Sequence, residues 1–93
     1  MPTYQWIDLV KFDLEKQTFL PVARCILENE VLRFEGSENV VQNLKKEFGE
    51  SNQDPDEYLK SLIERFNSPY LQATELQSGD ELTPFQSPEP VSL

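Results

Sequence analysis

Apolar residues recur at every second position through the first third of the chain and at every third or fourth position after that. Period two sends side chains alternately to the two faces of a strand, whereas a period of 3.6 keeps them on one face of a helix. Tyr4 to Phe12 therefore predicts a first strand. Tyr4, Trp6, Val10 and Phe12 share one face, interrupted by Asp8, while Ile7 and Leu9 lie on the other. Residues 13–17 are polar enough to turn the chain. Thr18 to Leu27 predicts a second strand, with Leu20, Val22 and Ile26 on one side and Phe19, Ala23, Cys25 and Leu27 opposite. Pro21 has no N–H for a ladder, so this strand begins near it or turns that stretch to an edge. Glu28-Asn29-Glu30 is the next turn, where Asn29 tolerates the positive φ of a tight hairpin. In Val31 to Glu35, Leu32 and Phe34 point inward, and Gly36 ends the strand. Three strands joined by short turns make an antiparallel meander.

Beyond Gly36 the period lengthens. Val40, Val41, Leu44 and Phe48 predict a helix capped by Ser37 and ended by Gly49. Asp54-Pro55-Asp56-Glu57 is a second helix start: Asp54 caps, Pro55 takes the first helical position, and Glu57 reaches back to the cap. This helix buries Tyr58, Leu59, Leu62, Ile63 and Phe66 and stops at Asn67-Ser68-Pro69. Tyr70 to Ala73 adds a short extended segment. The expected fold is α+β, in the order β-β-β-α-α, with both helices packed on one face of the sheet. Leu32, Phe34, Leu44, Phe48, Leu59, Leu62, Ile63 and Phe66 are its expected core. Residues 1–75 form the domain. From Leu76 on, apolar positions are sparse and no base occurs, so 76–93 is expected to be a flexible acidic tail, disordered when free and dispensable for folding.

Charge narrows the range of functions. The chain has 93 residues, with 17 Asp and Glu against 8 Lys and Arg, net −9. Residues 1–35 carry net −2, residues 36–75 net −4, and residues 76–93 net −3. Lys45-Lys46 is the one adjacent basic pair, too little to displace the counterions of a duplex, so direct nucleic-acid binding is not expected. The longest apolar run, Cys25-Ile26-Leu27, is far short of the roughly 20 residues that span a membrane. With one cysteine and no basic, apolar leader at the start, a reducing cytoplasmic location is expected. A domain this short hides only roughly 60–65% of its unfolded surface. Without a disulfide or a Cys/His metal site, it gains stability from compact packing or from a second copy.

Little points to catalysis. There is no histidine, and Cys25 sits mid-strand among apolar neighbours, where a thiol stays protonated. Neither G-x-S-x-G nor S-x-x-K occurs. The three glycines are isolated, so no phosphate loop can form, and no small-molecule substrate or cofactor is inferred. Asn52, Asp54 and Asp56 have the spacing that opens a calcium loop, but its sixth and twelfth positions hold Glu57 and Ile63, so no metal is expected. Asp8, interrupting an apolar face, is either an acid of raised pKa or an ordinary carboxylate on a partly solvated face or paired with Lys11 or Arg24. Tyr4, Trp6, Phe12 and Phe34 lack the positive groove that a base-stacking platform needs.

The expected function is therefore that of a non-catalytic interaction or regulatory protein, binding a protein partner or a second copy through the second sheet face, the helix pair or the tail. Two helices cover one sheet face, leaving Trp6, Asp8, Val10 and Phe12 on an open face as partner-binding residues. Leu82 and Phe85 are the corresponding anchors in the tail, and Val91-Ser92-Leu93 is a segment suited to adding at a sheet edge. The alternative is an inhibitor that imitates nucleic-acid charge with Glu47, Glu50, Asp54, Asp56, Glu57 and Glu64.

Overall fold

The computed structural model describes residues 3–83 and 85. The meander is formed by β1 (Tyr4–Asp13), β2 (Thr18–Glu28) and β3 (Val31–Gly36), followed by α1 (Glu38–Ser51) and α2 (Pro55–Arg65). Two short strands complete it, β4 (Leu71–Ala73) and β5 (Gln77–Gly79). The sheet order is β3-β2-β1-β4, all pairs antiparallel, with β5 pairing the start of β1. β1 is thus the central strand, and β3 forms an outer edge.

Alternation sets the two faces as the sequence implies. Ile7, Leu9, Ala23 and Cys25 are fully buried beneath the helices, against Leu44 of α1 and Tyr58, Leu59 and Leu62 of α2. Leu32, Phe34, Phe48 and Phe66 pack around this cluster. Seven of the eight expected core residues thus belong to it. The correction is Ile63, 38% exposed. At about 100° per residue, it lies about 40° beyond Leu59, at the margin of the stripe formed by Tyr58, Leu62, Phe66 and Leu59.

A second correction concerns β2. Leu9 pairs with Ala23 and Val10 with Pro21, so Val22 is an extra residue opposite the β1 ladder. This bulge shifts the alternation. Val22 packs against the main core, and Phe19 turns to the other face, where its ring meets Phe12 edge-on at 5.2 Å. Pro21, unable to donate a ladder hydrogen bond, sits beside the irregularity. The bulge also explains Gly36. Its φ is +125°, and a Cβ there would lie 2.5 Å from the Val22 carbonyl oxygen and 2.6 Å from the Ala23 Cα. Both neighbours are backbone, which cannot swing aside. Gly36→Ala should therefore destabilise by about 2–4 kcal/mol, combining an unfavourable φ with overpacking. A urea titration that gives the same midpoint for both proteins would show that the bulge relaxes freely.

Helix ends also differ from expectation. α1 runs through Gly49 to Ser51, and Asn52 takes the left-handed cap at φ 57°. Neither Ser37 nor Asp54 makes a side-chain cap hydrogen bond. Their carbonyls accept the first helical bonds instead, from Val41 and Tyr58 at 2.8 and 2.9 Å. The helices are tied together at Tyr58, whose hydroxyl donates to Glu47 Oε1 at 2.6 Å. Glu47 also takes both guanidinium nitrogens of Arg65. That pairing holds the Glu47 carboxyl below its ordinary 4.5, while burial first, and Glu47 second, pushes the Tyr58 phenol up.

The stretch set apart as a loose tail needs a third correction. Leu76 packs against the main core, and Gln77, Ser78 and Gly79 pair with Trp6, Gln5 and Tyr4. The edge of β1 left open beyond β4 supplies the partner, so pairing here does not depend on an apolar pattern in the added strand. Positions 84 and 86–93, including Val91-Ser92-Leu93, lie outside the described residues. No helix among the described residues is long and apolar enough to cross a membrane.

Candidate functional site

On the sheet face away from the helices, the strands bring Trp6, Asp8, Arg24 and Ile26 together, because Trp6 pairs with Ile26 and Asp8 with Arg24. Arg24 Nε donates to Asp8 Oδ1 at 2.6 Å, and Nη2 to Oδ2 at 3.2 Å. The Arg24 side chain is only 5% exposed and that of Asp8 17%. Asp8 is also fixed through its backbone: its N–H donates to Thr74 Oγ1 at 3.0 Å, and its carbonyl accepts from the Thr74 N–H at 2.8 Å.

The chain then closes over this pair. Arg24 Nη1 donates to the Thr83 carbonyl oxygen, and Nη2 lies 3.4 Å from Thr83 Oγ1. The guanidinium lies 5.7 Å from the ring centroid of Trp6 and 5.6 Å from that of Phe85. A planar cation between two aromatic faces is held by cation–π attraction as well as by its carboxylate. Trp6 retains 4% of its surface and Ile26 none. The indole Nε1–H of Trp6 is buried with no hydrogen-bond partner among the described residues.

The six residues expected to meet a partner are therefore placed as follows. Trp6, Asp8 and Phe85 converge on Arg24, with half-buried Leu82 next to Thr83. Val10, half-buried, pairs with Pro21, and Phe12 packs on Phe19. The part of this face around Trp6, Asp8 and Arg24 is covered by Thr83 and Phe85, while its Phe12 end is not. Of Asp8's two sequence readings, the ion pair with Arg24 is the one present.

Cys25 is fully buried, and burial, with smaller contributions from Asp8 and Glu47, pushes its thiol up to about 12. At neutral pH it is a thiol, poorly suited to attack. Among the described residues, no group of three or more potential ligands is positioned to hold a metal ion. Glu47, one of the six proposed phosphate substitutes, is already occupied by Arg65 and Tyr58.

Besides an acidic groove of about 520 Å³ lined by Leu27, Glu30, Asp54, Pro55 and Asp56, two surfaces of more apolar character are accessible. One is the β1–β2 hairpin end, where Leu14 is 73% exposed above a groove of about 390 Å³ lined also by Phe12, Leu20 and Val22. The other is the outer edge of β3. Asn29 and Glu30 both have positive φ, 51° and 65°, so they make a two-residue hairpin turn that makes Glu28 and Val31 a hydrogen-bonded pair. Alternation then turns the N–H and C=O groups of Val31, Arg33 and Glu35 toward β2. The Ser37 N–H to Val22 carbonyl bond, at 2.8 Å, continues the same rhythm. Leu32 and Phe34 thus present their backbone groups outward, where no further strand pairs with β3 among the described residues. Beside this edge runs a groove of about 490 Å³ lined by Leu32, Arg33, Phe34, Lys45 and Phe48, between the strand and α1. Sequence reasoning missed it because the groove exists only once α1 lies over β3.

No protein family, curated protein or solved structure matches this chain. The fold and the two surfaces define a small α+β protein with one sheet face under helices and the other partly covered by Thr83 and Phe85.

Proposed function

We propose that the chain is a non-catalytic interaction protein that takes up an extended segment of a protein partner at the edge of β3. The observation that carries this reading is the pair of outward-facing backbone units at Leu32 and Phe34, next to a groove with apolar walls. An unpaired edge offers main-chain hydrogen bonds to an added strand, and pockets beside it accept alternate side chains. The non-catalytic part is supported by the inert Cys25 and by the absence of histidine from the sequence.

The test is selection of peptides from a displayed random library on the full chain, followed by amide exchange of the complex. Protection should rise at the Leu32 and Phe34 amides. Selected peptides that protect only the β1–β2 hairpin end would move the site there. A library that gives no binder would remove the reading.

A further inference from the structure

We infer, resting on the strand-addition reading, that the segment taken up at β3 carries acidic side chains interleaved with apolar ones. The lining of the groove is the reason. The chain has 17 acids against 8 bases, yet the residues lining this groove are Leu32, Phe34 and Phe48, with Lys45 on the helix side and Arg33, whose side chain alternation sends to the opposite sheet face, and no acid among them. Lys45 makes no ion pair among the described residues. Arg33 has a single, long contact with Glu28, at 3.7 Å, and half of its side chain is exposed.

An added strand would send its side chains alternately to the two faces of the sheet. Those on the helix side enter between β3 and α1, where Phe34 and Phe48 take an apolar group and Lys45 meets a carboxylate. Those on the other side lie across from Arg33, which favours an acid there as a cross-strand pair. Glu35 follows two residues later on the same face of β3 as Arg33 and repels an acid placed opposite itself. Charge therefore specifies the register as well as the composition of the guest. The net charge of −9 on the chain opposes any acidic guest at long range. The short-range contacts with Lys45 and Arg33 have to exceed that repulsion, which makes the inference easy to overturn.

The probe is a capped, fluorescently labelled heptapeptide alternating valine and glutamate, compared with its valine–lysine counterpart by anisotropy on the full chain. The acidic peptide should bind about tenfold more tightly, and Lys45→Glu should abolish or reverse that preference. Lys45 is exposed, so the thermal midpoint of the variant should match that of the parent. Equal binding of the two peptides, tighter binding of the lysine peptide, or no effect of Lys45→Glu would overturn the charge inference. If the Leu32 and Phe34 amides were still protected in those cases, the strand-addition reading would survive. Protection by neither peptide would count against both. Sedimentation of the chain alone is the last arm: a dimer with those amides already protected would mean that a second copy occupies the edge, and the inference would fall.

Discussion

Asp8→Ala should destabilise the protein by about 3–5 kcal/mol, a large fraction of the roughly 5–15 kcal/mol that holds a domain folded. The loss comes from what remains after the substitution. Arg24 stays buried, with its Nε and Nη2 donors facing the space that the carboxylate filled. Thr83 and the rings of Trp6 and Phe85 neutralise no charge. A buried charge that loses its partner costs more than the pair contributed, so the single substitution should be worse than replacing both residues by apolar ones. Chemical denaturation of Asp8→Ala beside the double variant Asp8→Leu/Arg24→Leu measures this difference. A single variant within about 1 kcal/mol of the parent would mean that water reaches the pair, as at a surface salt bridge.

Leu62→Ala should cost about 2–5 kcal/mol, the range for removing a fully buried leucine from a packed core. Leu62 has no exposed surface and lies in the cluster where α2 meets the sheet. The neighbouring Ile63→Ala is the internal control. Ile63 is 38% exposed, so it should lose measurably less. Comparable losses at the two positions in a thermal melt would place the helix in a different rotation from the one described.

The architecture could be read from the sequence wherever side-chain period alone decides the outcome. Ile7, Leu9, Cys25, Leu32 and Phe34 point where alternation sends them, and Pro55 opens α2 where its missing N–H is harmless. Asp8 and Arg24 were also legible as a pair, since opposite charges on facing strands attract. What was not legible depended on partners distant in the chain. Nothing in Gln77-Ser78-Gly79 resembles a strand, and it becomes one because β1 has an edge left to fill. Phe85 reads as an isolated apolar residue until Arg24 lies beneath it. The bulge at Val22 was signalled only by Pro21, which marks an irregularity without saying which residue is squeezed out. The β3 groove had no signal, because its two walls come from elements whose relative placement the local pattern does not encode.

The central position of β1 has a consequence for how the chain reaches this structure. Its pairing with β2 is a local hairpin, and β3 follows after a two-residue turn, so the meander closes only short loops. The opposite edge of β1 is different. Trp6 waits for Gln77, Asp8 for Thr74, and Arg24 for Thr83. Contacts of such long sequence separation pay their loop entropy before any stabilisation returns, and they slow folding. On a ribosome, β1 emerges well before β4 and β5 and keeps one edge unpaired until they have been made. Throughout that interval Trp6 and Ile26 are uncovered, and the nascent meander is at its most prone to associate with other chains.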